Sequence, residues 1–372
     1  MHEKQLKTLA TKSFATMFLV IAFSFCLTKY NDSKIYVSAV SAENQDEQSS
    51  ASLPNNQTEE KTLYTNMETG EELTEIGNRY IKINTNDQEG MLVTTKDLYM
   101  EHKIMVMLDN LDEKTYTEQA VSFSSKEFNR NQVSFSYNLN PDTLKFCVTF
   151  ELLLDNIYVP TIYTTEHAIY IELKKPHELY ERVIVVDAGH GGNDIGTASK
   201  DKEYVEKDIN LKVVLELKKL LDEDSTYKVY YTRLEDKKVY LNPRMNLADD
   251  VQADLFLSVH CNGSEYIGAK GTEVLYGSSK NRSGDISSKR FATICMEEVS
   301  SALNTNNRGL IKKDDIYIIG NSKVPVALVE LGFMSNEEDM TILKDNKNKK
   351  NAAKALYNAI HRALEKMDEV ES

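Results

Sequence analysis

Three apolar runs in the second half of the chain lead into side chains that bind metals or move protons. Arg182–Asp187 (RVIVVD) runs into Ala188-Gly189-His190-Gly191-Gly192, Asp254–Val259 (DLFLSV) ends at His260, and Pro325–Val329 (PVALV) ends at Glu330. Imidazoles and carboxylates are the usual ligands of divalent metals and the usual carriers of protons near neutral pH. Each run is apolar enough for a strand buried on both faces, and helical stretches separate them, which is the pattern of a parallel sheet. Ligands of such sheets bind beyond the carboxyl ends of the strands, so His190, His260 and Glu330 are expected to converge on one edge. A carboxylate directly after five apolar residues is costly to bury unless something pairs with it. That convergence points to an enzyme.

The elements that must position these groups can be read from periodicity. Glu206–Asp222, Asp285–Leu303 and Asn351–Met367 carry apolar residues at helical spacing, and strands are expected at Tyr227–Thr232 and Gly271–Tyr276. Together with the three runs they predict an α/β domain over 177–372, with a mostly parallel sheet flanked by helices. Residues 63–176 differ. Tyr80–Ile83, Ile104–Leu108, Val133–Tyr137, Leu144–Leu153 and Ala168–Leu173 are short strand candidates between turn-rich stretches, and no long helical period appears. This predicts a small β-sandwich-like domain, a spacer or wall-binding accessory module. Its many tyrosines suit stacking on sugars, but tyrosine is equally an ordinary strand residue.

The first 42 residues read as an export segment. Lys4, Lys7 and Lys12 precede the apolar run Phe14–Leu27, and Val40-Ser41-Ala42 offers small residues for a peptidase. Fourteen residues is short against the roughly 20 of a membrane span. A cleaved signal peptide and an uncleaved anchor that tethers the chain to the membrane remain the two readings, and both place the rest of the chain outside the cytoplasm. Residues 43–62 are polar and acidic, which predicts a disordered linker. A net charge of -14, with no Lys/Arg-rich stripe, argues against a nucleic-acid partner. Beyond the leader only Cys147, Cys261 and Cys295 remain, with no Cys-x-x-Cys pair, so neither a disulfide framework nor a thiolate metal site is expected.

Five ordered motifs carry a family resemblance. Asp187–Gly196 (DAGHGGNDIG), Glu206–Leu211 (EKDINL), Thr232-Arg233, Ser258–Asn262 (SVHCN) and Val329–Asn336 (VELGFMSN) follow one another. The series resembles the zinc-dependent N-acetylmuramoyl-L-alanine amidases, the family-3 amidase domain of bacterial cell-wall hydrolases, over about 183–364. The resemblance implies that His190, Glu206 and His260 bind Zn2+, that Glu330 is the catalytic carboxylate, and that peptidoglycan is the substrate. It further implies hydrolysis of the amide between N-acetylmuramic acid and the L-alanine of the stem peptide. A catalytic zinc held by three His and Glu ligands with one place left for water agrees with this set. Without the resemblance, Glu206 reads equally as an ordinary acidic residue at a helix start.

Around the site, Asp187 and Asp194 are candidates to support the metal loop or to cap turns. Arg233 and Arg244 are candidates for substrate carboxylates, with Arg244 equally suited to neutralising Asp249 or Asp250. His102, His167, His177 and His361 have no partners nearby in sequence and are expected to be structural. The chain departs from the family at Asp249, where an asparagine is usual, and near Gly320, where an arginine is common. Between Tyr276 and Arg308 there is room for one core helix, so the site is expected to be open without an activator. A non-catalytic wall-binding protein and a zinc peptidase of the stem peptide are the competing functions.

Overall fold

The computed structural model describes residues 35–39, 62–85, 90–125, 132–278 and 286–371. The apolar run of the leader and all of the expected linker but Thr62 lie outside these residues. No helix among the described residues is long and apolar enough to cross a membrane. The chain divides into two compact units, one taking Met1–Asp155 with Pro160–Glu172, the other Asn156–Val159 with Leu173–Ser372.

The first unit contains two sheets. One has the order β1 (Ile35–Ala39), β5 (Leu92–Leu98), β6 (Lys103–Leu111), β9 (Phe146–Leu153), β8 (Val133–Leu139). The other runs β3 (Glu72–Leu73), β2 (Tyr64–Asn66), β10 (Val159–Thr165), β11 (Ala168–Lys174), β4 (Tyr80–Asn84), β7 (Val121–Phe123). The pairings resolved in both are antiparallel. In β6 and β4 alternate residues are buried (Ile104, Val106 and Leu108; Ile81 and Ile83), the period of two that packs one face of a pleated strand. β1 lies within the stretch read as leader, yet it pairs with β5 in the register Ile35↔Lys96 to Ala39↔Leu92.

The second unit is α/β, with one sheet in the order β13 (Tyr227–Tyr231), β12 (Arg182–Ala188), β14 (Leu255–Asn262), β17 (Val326–Phe333), β15 (Thr272–Tyr276), β16 (Asn307–Lys312). Neighbours pair in parallel except β15, which runs antiparallel to β17. Aliphatic residues dominate β12, β14 and β17 and are buried on both faces because helices cover them. Helix Glu206–Leu221 buries Ile209, Val213, Val214, Leu217 and Leu221, and helix Ser288–Leu303 buries Phe291, Ile294, Cys295, Val299 and Leu303. Both stripes join helix Asn346–Glu371 and the inward faces of the strands in one continuous core. The Ser287 side chain accepts from the Arg290 amide and so starts the second helix.

His260 and Glu330, expected at strand ends, sit inside their strands instead. Parallel pairing of β14 and β17 sets His260 opposite Glu330 and carries on past a register shift to Asn262 and Phe333. β16 had no sequence signal. It is an edge strand, Asn307–Lys312 (NRGLIK), with no buried residue and no alternation to read.

Candidate metal centre

His190 follows β12 by two residues and has a backbone φ of 61°, a left-handed conformation unusual for a residue with a side chain. Two buried arginines hold the loop in that shape. Arg233 donates from Nε to the Ala188 carbonyl (2.9 Å) and from Nη2 to the Gly189 carbonyl (2.8 Å). Arg244 donates from Nη1 to Ala188 O (2.7 Å) and from Nη2 to His190 O (2.8 Å). Three consecutive carbonyls are thereby fixed by charged donors. Neither arginine is available to substrate, since their exposures are 1% and 2%. The expectation of substrate contacts, or of an Arg244 pair with Asp249, is corrected accordingly: Asp249 accepts from Lys323.

The counter-charge of Arg244 is Asp187, fully buried at the end of β12. The Asp187 carboxylate also accepts from Thr232 Oγ1 (2.6 Å) and Ser258 Oγ (2.7 Å). Burial by itself would raise its pKa, but Arg244, then His260 and the two hydroxyls, hold it below the usual carboxylate range. Asp187 is therefore the anchor of the arginine brace, and its partners among the described residues are Arg244, Thr232 and Ser258. Arg244→Met is expected to destabilise the fold by about 3–5 kcal/mol, because it strands a buried carboxylate. Urea unfolding measures this, and the double substitution Asp187→Leu/Arg244→Met should recover part of the loss.

Glu206 is the first residue of its helix and is 4% exposed. Its placement comes from a two-way link to the His190 loop. The Glu206 amide donates to Thr197 O (2.9 Å), and the Thr197 amide donates back to Glu206 Oε2 (2.8 Å). Its other oxygen, Oε1, faces His260 Nδ1 (2.8 Å), His190 Nε2 (3.2 Å), the Cys261 amide (3.1 Å) and Asn210 Nδ2 (3.3 Å). One donor atom from each of His190, Glu206 and His260 lies within 4.8 Å of the others, the sole such group of three among the described residues. Two glycines permit this closeness. A Cβ on Gly189 would meet the His260 ring at 2.3 Å, and one on Gly196 (φ 66°) would meet Glu206 Oε2 at 2.4 Å and His190 Cδ2 at 2.7 Å.

The electrostatics suit a cation. Burial disfavours charge on His190, yet Glu206 and then Asp194 outweigh it and raise its pKa to about 9. His260 is raised too, against its burial, chiefly by Glu206 and Glu330. Glu206 is driven far below the carboxylate range by the two imidazoles despite its burial. Asp194 Oδ1 lies 2.9 Å from His190 Nδ1, so it orients the ring, as expected of one of the two aspartates. The other histidines stay outside the cluster: His361 meets Tyr227 OH (3.1 Å) and His177 the Gln252 carbonyl (2.9 Å).

Glu330 stands beside this group, register-paired with His260 on β14 and with Glu273 on β15. Its Oε2 is buried and has no hydrogen-bond partner among the described residues. Burial is the main cause that pushes its carboxyl up to about 7, with the Glu206 and Glu273 carboxylates adding to the shift. A buried carboxyl with one oxygen unpartnered among the described residues, beside three clustered donors, is the arrangement a metal-assisted hydrolase needs.

The second half of the chain is similar to known proteins. A family model for N-acetylmuramoyl-L-alanine amidases matches residues 184–362. The chain is 36% identical over 179 residues to the uncharacterized protein YqiI of Bacillus subtilis, a match covering 48% of this chain and 83% of that one. It is 32% identical over 186 residues to the N-acetylmuramoyl-L-alanine amidase LytC of the same organism, covering 50% of this chain but 36% of LytC. Among solved structures, the CwlD amidase of Clostridioides difficile, in complex with the GerS lipoprotein, is 32% identical. That match covers 50% of this chain and 98% of CwlD, with a TM-score of 0.44.

Proposed function

We propose, from the premise that this chain belongs to the N-acetylmuramoyl-L-alanine amidase family, that it is a zinc-dependent hydrolase of peptidoglycan. The bond cleaved is the amide between the lactyl group of N-acetylmuramic acid and the L-alanine of the stem peptide. One observation carries the reading: three His and Glu donors within 4.8 Å of one another stand beside a carboxyl oxygen that is buried and unpartnered.

His190, Glu206 and His260 fit zinc by donor type and number, since a catalytic zinc takes three protein ligands such as His and Glu and leaves the fourth place to water. Zinc at these donors would supply Lewis-acid polarisation of the scissile carbonyl and would lower the pKa of water toward about 7. The protein's own part is proton transfer and positioning. Glu330 takes a proton from the attacking water as the new C–O bond forms, then delivers it to the alanine nitrogen as the C–N bond breaks. A carboxyl with a pKa pushed up to about 7 can do both near neutrality. Asp194 fixes the orientation of the His190 ring, and Arg233 and Arg244 hold the loop that carries it.

We further assign residues 63–176 to a β-sandwich-like accessory module, 177–372 to the catalytic domain, and 1–62 to a leader or anchor followed by a linker, with β1 of that stretch paired to the module's β5. The protein is accordingly exported and works at the wall, cleaved free or held at the membrane by its N-terminal segment. Between Tyr276 and Arg308 the described residues hold one helix, Ser288–Leu303, which fits a site that works without an activator.

Digestion of purified peptidoglycan by the full chain, followed by mass spectrometry, tests the reaction. Release of intact stem peptides with a free L-alanine amine, lost with a chelator and restored by zinc, is the expected result. Clipped peptides still attached to sugar would make the protein a peptidase instead. No release from metal-loaded protein would point to a wall-binding role or to a required activator.

A further inference from the structure

Glu273 and Arg308 extend the site across the sheet in a direction that the metal ligands and Glu330 do not occupy. Glu273 on β15 is register-paired with Glu330, and the register shift between β15 and β16 places Arg308 next to it on the edge strand. Both oxygens of Glu273 are committed. Oε1 accepts from Arg308 Nε at 2.6 Å and Oε2 accepts from Asn262 Nδ2 at 2.8 Å. The Arg308 guanidinium also lies over the Phe333 ring, 5.0 Å from its centroid. Its Nε edge and one flat face are thus fixed. Its two Nη groups have no protein partner among the described residues, and the side chain is 38% exposed.

A guanidinium locked along one edge and presented on the other is pre-organised for a bidentate carboxylate. Arg233 and Arg244 cannot serve that purpose, being buried on backbone carbonyls and Asp187. We propose that Arg308 binds a carboxylate of the stem peptide next to the scissile amide, and that Glu273, Asn262 and Phe333 position it for that contact. The proposal rests on the amidase reading above. Arg308 is two strands from Glu330, roughly 10 Å at ordinary strand spacing. One to two residues of extended peptide at about 3.5 Å each, plus the reach of an arginine, span that gap. The matching group is the α-carboxylate left free where the residue after L-alanine is a glutamate linked through its side chain.

Two muropeptides that differ only at that group, one with D-glutamate and one with D-isoglutamine, make the test. Steady-state kinetics would be measured on the full chain with each, for wild type, Arg308→Ala and Arg308→Lys, at matched zinc content and matched thermal stability. The expected result is a rise in KM of about 10- to 100-fold for Arg308→Ala on the acid substrate, the scale of a lost charged hydrogen-bond pair. The same variant should show little change on the amide substrate, and Arg308→Lys should recover part of the loss. Equal losses on both substrates, or losses confined to kcat, would reduce Arg308 to a brace for Glu273 and overturn the proposal. Clipped peptides still attached to sugar, from either muropeptide, would instead remove the amidase reading, and the proposal with it.

Discussion

Glu330→Gln is expected to lower turnover by about 100- to 10,000-fold, the range that a positioned general acid–base supplies. Zinc should stay bound, because Glu330 is not among the three clustered donors. The amide of glutamine keeps the shape of the side chain but neither accepts nor delivers the proton. A second consequence separates this role from a structural one. Burial pushes the Glu330 carboxyl up to about 7, above its ordinary 4.5, so the folded state favours its protonated form. The stability this contributes is fully present below about pH 4.5 and is lost as pH rises through about 7. Glutamine has no charge to desolvate, so in chelator the variant should gain stability relative to wild type as pH rises from 5 to 8. Paired measurements of product release, zinc content and melting temperature check all three statements. Near-normal turnover in the variant would remove Glu330 from the chemistry.

How much of this site was legible in the sequence depended on whether a residue's role was local. β12, β14 and β17 announced themselves because strands buried on both faces are nearly uninterrupted aliphatic runs, each leading straight to its functional residue. Glu206 was readable only through the family resemblance, since its reciprocal link to Thr197 joins residues across a loop. The roles of Arg233 and Arg244 were misjudged for the same reason. An arginine in a polar stretch has no pattern that marks it as buried, and only the folded loop shows carbonyls waiting for it. Glu273 and Arg308 were not singled out at all. One is a single polar residue in a short strand, the other sits on an edge strand without alternation, and only strand order brings them beside Glu330. Strands β5 (LVTTKDL) and β10 (VPTIYTT) were missed because their burial does not alternate: Thr95 and Lys96 are buried in succession, as are Ile162 and Tyr163.

Glu206→Gln should be the most damaging single substitution at the metal centre, on two counts. Every group around this carboxylate is a donor or can become one: His190, His260, Asn210 and the Cys261 amide at Oε1, and the Thr197 amide at Oε2. Whichever way a glutamine amide is turned, its NH2 meets donors on one side, in a position that is 4% exposed. Breaking a buried charged network of this kind costs about 3–5 kcal/mol, which urea unfolding in chelator would register. Zinc affinity should fall by at least about 100-fold, since an anionic ligand is lost along with the support it gives both imidazoles. The pH dependence identifies the cause. In the metal-free protein Glu206 and Asp194 raise His190 to about 9, so the stability from this pairing is fully present below about 6.5 and is lost as pH rises through about 9. Zinc must displace that proton, so wild-type affinity should go on climbing with pH to about 9, whereas in Glu206→Gln the climb should level off earlier. Competition against a chromogenic chelator across pH 6 to 9.5 measures both curves, and superimposable profiles would show that Glu206 does not set the charge of the histidines it touches.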